Sequence, residues 1–258
     1  MNIALLINVE LANISRWLTT NKLHLNIGKT KYMIISLKDK PPDLNLVIGN
    51  SYIERKQVQK FLGVYIDDKM CFTGHTKKIS SKLSQGIGVI RKIKQLVPHT
   101  VLKQLFFAFI YSKFTYAIIC YGSAYQNQIQ RIKNLVNRAL KLVLNVHTLA
   151  PNTCKNARIF DFDMAYKYFC GINMYRVLSL NIHPFLATKI RSFQRNHSHE
   201  TRSVLNQELT LPYVTRSKCQ RSFLYNGIKV WNDIPLQTRN VHDNLDSFKK
   251  LLKEDLLS

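Results

Sequence analysis

No Asp or Glu occurs between Lys69 and Arg158; after Asp68 the next carboxylate is Asp161. A solvated globular surface ordinarily interleaves both signs of charge. A long carboxylate-free span therefore points to a surface that faces phosphates, the bland alternative being chance in a lysine-rich chain. Cysteine is also sparse. Cys71, Cys120, Cys154, Cys170 and Cys219 are odd in number and far apart, and none stands in a C-x-x-C or Cys/His zinc spacing. That excludes an obvious structural zinc site and suits a reducing compartment. In "NHSHE", His197 and His199 lie two apart with no neighbouring cysteine, so no metal site is expected there. The opening "MNIALLINVELANISRW" has neither a basic leader nor a small-residue cleavage site, so no signal peptide is expected. There is no internal repeat or low-complexity tract. The most apolar run, Leu105 to Gly122, carries Lys113 at its centre and has basic flanks. A lysine there is costly in lipid, so the run is expected to be a buried core helix, and no membrane partner is expected.

What is present is a foldable, strongly basic chain. Its 258 residues are 46% hydrophobic, enough for a sizeable core in one or two domains. Lys and Arg number 38 against 15 Asp and Glu, a net charge of +23. Such an excess favours a polyanionic partner, because each neutralised phosphate releases condensed counterions. Basicity alone does not separate DNA, RNA and an anionic membrane surface.

Periodicity orders the chain. Val9 to Thr20 reads as a helix with Leu11, Ile14 and Leu18 on one face. "KYMIIS" reads as a short strand, and "LNLVIGNSYIE" as a hairpin turning at Gly49-Asn50. "FLGVYID" reads as a further strand, in which Gly63 marks a bulge or a close backbone approach. In "HTKKISSKLSQGIGVIRKIKQLV", Ile79, Leu83, Ile87, Ile90 and Val97 form one stripe, with Lys77, Lys78, Lys82 and Lys92 opposite. A further helix, Gln126 to Asn145, is expected to bury Ile132, Leu135, Ala139 and Val143 and to turn Arg131, Arg138 and Lys141 outward. Beyond Pro151 the helical signal weakens; "VWNDIP" reads as a turn before a closing helix, "DSFKKLLKEDLL".

Four segments in order, "ISRWLTTNKLHLNIGKTKYMIIS", "KFLGVYIDDKMCFTGH", "IGVIRKIKQLVP" and "WNDIPLQT…DSFKKLLKEDLL", resemble non-LTR (LINE-type, jockey/CR1-like) retrotransposon reverse transcriptases. The resemblance runs nearly end to end and places the chain after the catalytic loop. "NKLHLNIGKTKYM" is similar to the end of the palm, and "KFLGVYID" to the hairpin that grips the primer. The helices from His75 onward are similar to the thumb, and "RNHSHETRS" with "WNDIP" to the family's C-terminal region. The family's "HxYNTR" reads "HSHETR" here, which weakens any role for His197.

The chemistry of that family needs carboxylates holding two metal ions. The Tyr- or Phe-Ala-Asp-Asp loop that supplies them is absent, so no catalytic residue is assigned. Asp67 and Asp68 do not replace it, because adjacent side chains on an extended strand point to opposite faces. The resemblance implies magnesium for a full-length parent enzyme, and no cofactor or metal for this chain. Three groups are candidate nucleic-acid contacts. Lys29 and Lys31 would lie near an incoming triphosphate, or else be solvated lysines beside a strand. Phe61, Leu62 and Gly63 would hold the primer backbone, or form a buried strand. Lys77, Lys78, Lys82, Arg91 and Lys92 would contact duplex phosphates without reading sequence, or be a merely solvated face.

The expected class is α+β, a small β-hairpin palm remnant followed by a mainly α-helical thumb-like and C-terminal region. The expected domains are 1–72, 73–150 and 151–258. The expected function is that of a reverse-transcriptase fragment that binds an RNA template and DNA primer duplex without polymerising alone, inside the cell, in nucleus or cytoplasm. The alternative is a stand-alone non-catalytic RNA- or DNA-binding protein.

Overall fold

Isoleucines and leucines at helical spacing begin α1 at Ile3, earlier than the sequence reading placed it, and carry it to Thr20 (Ile3–Thr20). The structure, a computed structural model, describes residues 3–36, 41–150, 152–193, 206–241 and 244–258. The chain is α+β, with α1 and six short strands first and the other helices after, among the described residues, and divides into a unit of residues 1–74 and one of 75–258.

In the first unit, α1 lies on β2 (Val47–Ile48). The Asn8 amide ties them, donating to Asn45 O at 3.0 Å and accepting from Val47 N at 3.0 Å. Ile7 and Leu11 pack against Leu46, Ile48 and Ile53. Ile14, expected on the packed face, lies at its edge and is exposed. "KYMIIS" yields only β1 (Lys31–Tyr32), paired in parallel with β4 (Glu54–Arg55). The expected hairpin joins β2 to β3 (Ser51–Tyr52), with Gly49 at φ 58° supplying the positive φ of its turn. "FLGVYID" is not one strand. β5 (Val58–Phe61) and β6 (Val64–Asp67) are antiparallel, in register Phe61 to Val64, and Leu62-Gly63 is the turn between them. Both turn residues have positive φ, 45° and 85°; this twist matches that of the flanking strands, so glycine is there for turn geometry and not for a bulge.

The second unit begins with α2 (Thr73–Ile93), which buries Ile79, Leu83, Ile87 and Ile90. Val97 lies beyond its end, in the turn before Pro98. The apolar run is broken into pieces: α3 (His99–Phe106), a π-turn (Phe107–Tyr111), α4 (Ser112–Thr115) and α5 (Ile118–Tyr121). The break falls at Ala117, in left-handed conformation at φ 53°. Leu102, Phe106, Ile110, Phe114 and Ile118 recur every fourth residue and are buried, while Phe107, Phe109 and Tyr116 are exposed. The run thus covers the core with one face only, and Lys113 is at the surface. Among the described residues no helix is long and apolar enough to cross a membrane.

α6 (Gln126–Leu144) buries Ile129, Ile132, Val136, Ala139, Leu140 and Val143, leaving Leu135 half-buried at the edge of the stripe. After α7 (Thr153–Asn156), Asp161 caps α8 (Phe162–Leu178) by accepting from Met164 N at 2.9 Å. Among the described residues four further helices follow α9 (Pro184–Arg191): α10 (Ser217–Gln220), α11 (Phe223–Asp233), α12 (Leu236–Arg239) and α13 (Leu245–Leu257). α8 is the hub, packed by α4, α5, α6, α9, α11 and α13. Tyr175 stacks on Phe248 at 4.3 Å and donates to Val241 O at 2.8 Å. Helices from both sides of residue 150 pack on α8, and residues 75–258 form one unit. "VWND" is helical and Trp231 is buried; the turn comes only at Ile234-Pro235.

Candidate nucleic-acid interface

The apolar stripe of α2 fixes which side of the helix meets the core, and thereby fixes what faces water. Lys77, Lys78, Lys82, Arg91 and Lys92 are all exposed. Among the described residues none of the five has a carboxylate within ion-pairing distance. Lys78, Lys82 and Lys92 share one side of the helix and span about 21 Å at 1.5 Å per residue. His75, one turn earlier, adds no charge to this face. It is buried edge-on to Tyr121 at 5.0 Å, and burial, then the nearby Lys82, lowers its pKa from the ordinary 6.5.

Tertiary structure neutralises part of the carboxylate-free span, which sequence order alone does not show. Asp163 meets Lys133 at 2.7 Å, and Glu254 approaches Arg158 at 4.0 Å. Arg131, Arg138 and Lys141 on α6 have no such partner among the described residues. The grouping of Arg138 and Lys141 with Lys94 and His147 was missed as a site. Its signal was the spacing of Asn134, Arg138, Lys141 and Asn145 on one face of α6.

In the first unit the candidate residues scatter. Lys29 ends a short 3₁₀ turn (Ile27–Lys29) and is exposed. Lys31 is only 23% exposed and pairs with Glu54 at 2.8 Å across β1 and β4; Glu54 also binds Lys56. Lys31 first, then Lys56, pulls the Glu54 carboxyl down to about 2. Lys31 is thus a strand-pairing cation in this structure. Phe61 and Leu62 form the hairpin tip and are 63% and 76% exposed, so the alternative of a buried strand is excluded. The hairpin tip and the α2 face belong to different units.

Asp67 and Asp68 have separate jobs. The Asp67 carboxylate accepts from the backbone N–H groups of Lys69, Cys71 and Phe72, at 3.2, 2.8 and 2.6 Å. It thereby closes a loop in which Met70 and Phe72 both adopt positive φ. The Asp68 backbone donates to Gln57 O at 2.9 Å, extending the β5–β6 ladder. With Asp67 so engaged, these residues do not fit the magnesium site that the family's chemistry uses, and among the described residues no three His, Cys, Asp or Glu side chains are grouped to hold a metal. His197 and His199 lie outside the described residues. Comparison of the chain with family models, with curated proteins and with solved structures finds no match.

Proposed function

We propose that this chain is a non-polymerising nucleic-acid-binding protein, and that it corresponds to the palm end, primer grip and thumb of a LINE-type reverse transcriptase. The observation that supports this best is α2: five exposed cations on a helix held rigidly by its buried stripe, with no carboxylate partner among the described residues. Such a face suits duplex phosphates, contacted as a row of charges and without base reading. The reverse-transcriptase relation rests on the sequence motifs, and the absent Ala-Asp-Asp loop is the reason to expect no polymerisation.

Salt dependence of duplex binding tests the reading. Each phosphate contact contributes about 0.9 to the log–log slope on B-DNA, so replacing Lys78, Lys82 and Lys92 by Gln is expected to lower the slope by roughly two to three. The loss should be equal for unrelated sequences. The charge-matched triple variant at Lys229, Lys250 and Lys253, all exposed, should change little. Equal loss in both variants would leave only bulk charge and sink the α2 assignment. Template-dependent incorporation by the isolated chain would overturn the non-polymerising part.

A further inference from the structure

The outer face of α6 near its C-terminal end forms, with the loop that follows it, two adjoining recesses of about 520 and 280 Å³. Arg138 and Lys141 line both, so they form the ridge between them. The larger recess is of mixed character, lined by the amides of Asn134 and Asn137, the Thr148 hydroxyl and the apolar Leu149. The smaller is the more apolar, lined by Leu142 and Val146 together with His147 and Asn145. Lys94, just past the end of α2, completes the smaller recess; its ammonium donates to Asn145 Oδ1 at 2.8 Å. Asn145 is itself the left-handed cap of α6, at φ 56°. That contact clamps the end of α2 to the end of α6 and holds a third cation in place. Among the described residues neither recess is lined by a carboxylate.

We infer that this cleft binds a single-stranded polynucleotide step, with the phosphodiester on the Arg138–Lys141 ridge and one nucleoside in each recess. The inference rests on the nucleic-acid-binding reading and adds a second site to it, different in kind from α2. A convex helix face meets the backbone of a duplex from outside. Two concave recesses accept separate nucleosides, and only an unpaired strand can splay these apart. The planar guanidinium of Arg138 offers a forked donor to phosphate oxygens, and Lys141 adds a point charge beside it. Amides in the larger recess match base edges and sugar hydroxyls, and Leu142 and Val146 with the His147 ring offer a surface for base stacking in the smaller. Lys141 and Lys94 each follow or end a helix, where a cation also complements the helix dipole. Arg138, a turn and a half before the end of α6, is too far back for that role to account for it.

The test compares a single-stranded oligonucleotide with its own duplex, using the full chain at one fixed salt concentration. R138Q/K141Q is expected to weaken single-strand binding about tenfold or more and duplex binding less than about threefold. K78Q/K82Q/K92Q should show the reverse preference. Arg138 is exposed and Lys141 half-buried, and circular dichroism checks that the variant is folded. Equal losses for both nucleic acids, or no loss for either, overturn the cleft while leaving nucleic-acid binding intact. If the unsubstituted chain binds neither form, the cleft and the reading beneath it fail together. Photocrosslinking gives a second readout. A 5-bromouracil single strand should form adducts within residues 134–149, and adducts elsewhere or none overturn the site.

Discussion

Asp67 shows how a residue that invites a catalytic reading can be wholly occupied by local structure. Its two carboxylate oxygens take three backbone N–H groups from the loop entering α2, and the left-handed Met70 and Phe72 depend on that closure. Asp67→Ala is expected to cost about 1–3 kcal/mol, since it leaves donors unpaired. Asp67→Asn keeps one acceptor oxygen and should fall between. Amide hydrogen exchange at Cys71 and Phe72 checks this; unchanged protection in Asp67→Ala would show that the loop holds without the cap. Arg239 makes a related point. Arginine is ordinarily a surface residue, yet Arg239 is buried and donates to the carbonyls of Ile234, Gln207 and Asn206 at 2.9, 3.1 and 2.8 Å. Neither partner set was legible in the sequence, because hydrogen bonds to backbone carry no residue-type signal.

Elements differed in legibility according to how many of their sides are buried. α2 and α6 have one dry face and one wet face, so their periodicity showed and their basic sides followed from it. α8 is packed by other helices on several sides. Its apolar residues therefore spread around the helix and leave no stripe, which is why the chain past residue 150 read as weakly helical. The packing is close enough to test at Gly171. A methyl group there would lie 2.7 Å from Leu252 Cδ2 and 3.0 Å from Ile234 Cδ1. Gly171→Ala is expected to cost about 1–3 kcal/mol by overpacking α8 against α13. Gly88→Ala, on the exposed side of α2 with nothing within 4 Å of the new methyl, should gain about 0.5–1 kcal/mol from helix propensity. Thermal denaturation decides it, and two variants shifting the same way would refute the packing argument.

The two units of the molecule are unequally built. Among the described residues, 75–258 hold nearly all of the buried apolar side chains, whereas Leu46, Ile48, Ile53, Val64 and Phe72 are those of 1–74. The first unit also exposes Leu5, Leu6, Val9 and Trp17 along α1 and, among the described residues, has three two-stranded sheets with open edges. Residues 75–258 expressed alone are therefore expected to unfold cooperatively. Residues 1–74 alone should unfold without a sharp transition and bind a hydrophobic dye such as ANS. Urea titration followed by circular dichroism checks both, and a cooperative, dye-silent 1–74 would overturn the expectation.

The sequence by itself determined the α+β class, the hairpin at Gly49-Asn50, the two amphipathic helices and the outward basic face of α2. These follow from local rules: turn chemistry, and a period that sorts side chains by face. Tertiary structure alone decided which cations stay unpaired. Asp163 and Glu254 come from outside the carboxylate-free span to meet Lys133 and Arg158, and Glu54 takes Lys31. It also decided that Arg138, Lys141 and Lys94 line one cleft, since Lys94 arrives from the end of a different helix. Charge is a property of a residue and is read from its letter. Neutralisation and concavity are properties of neighbours far apart in sequence, and they exist only once the chain has folded.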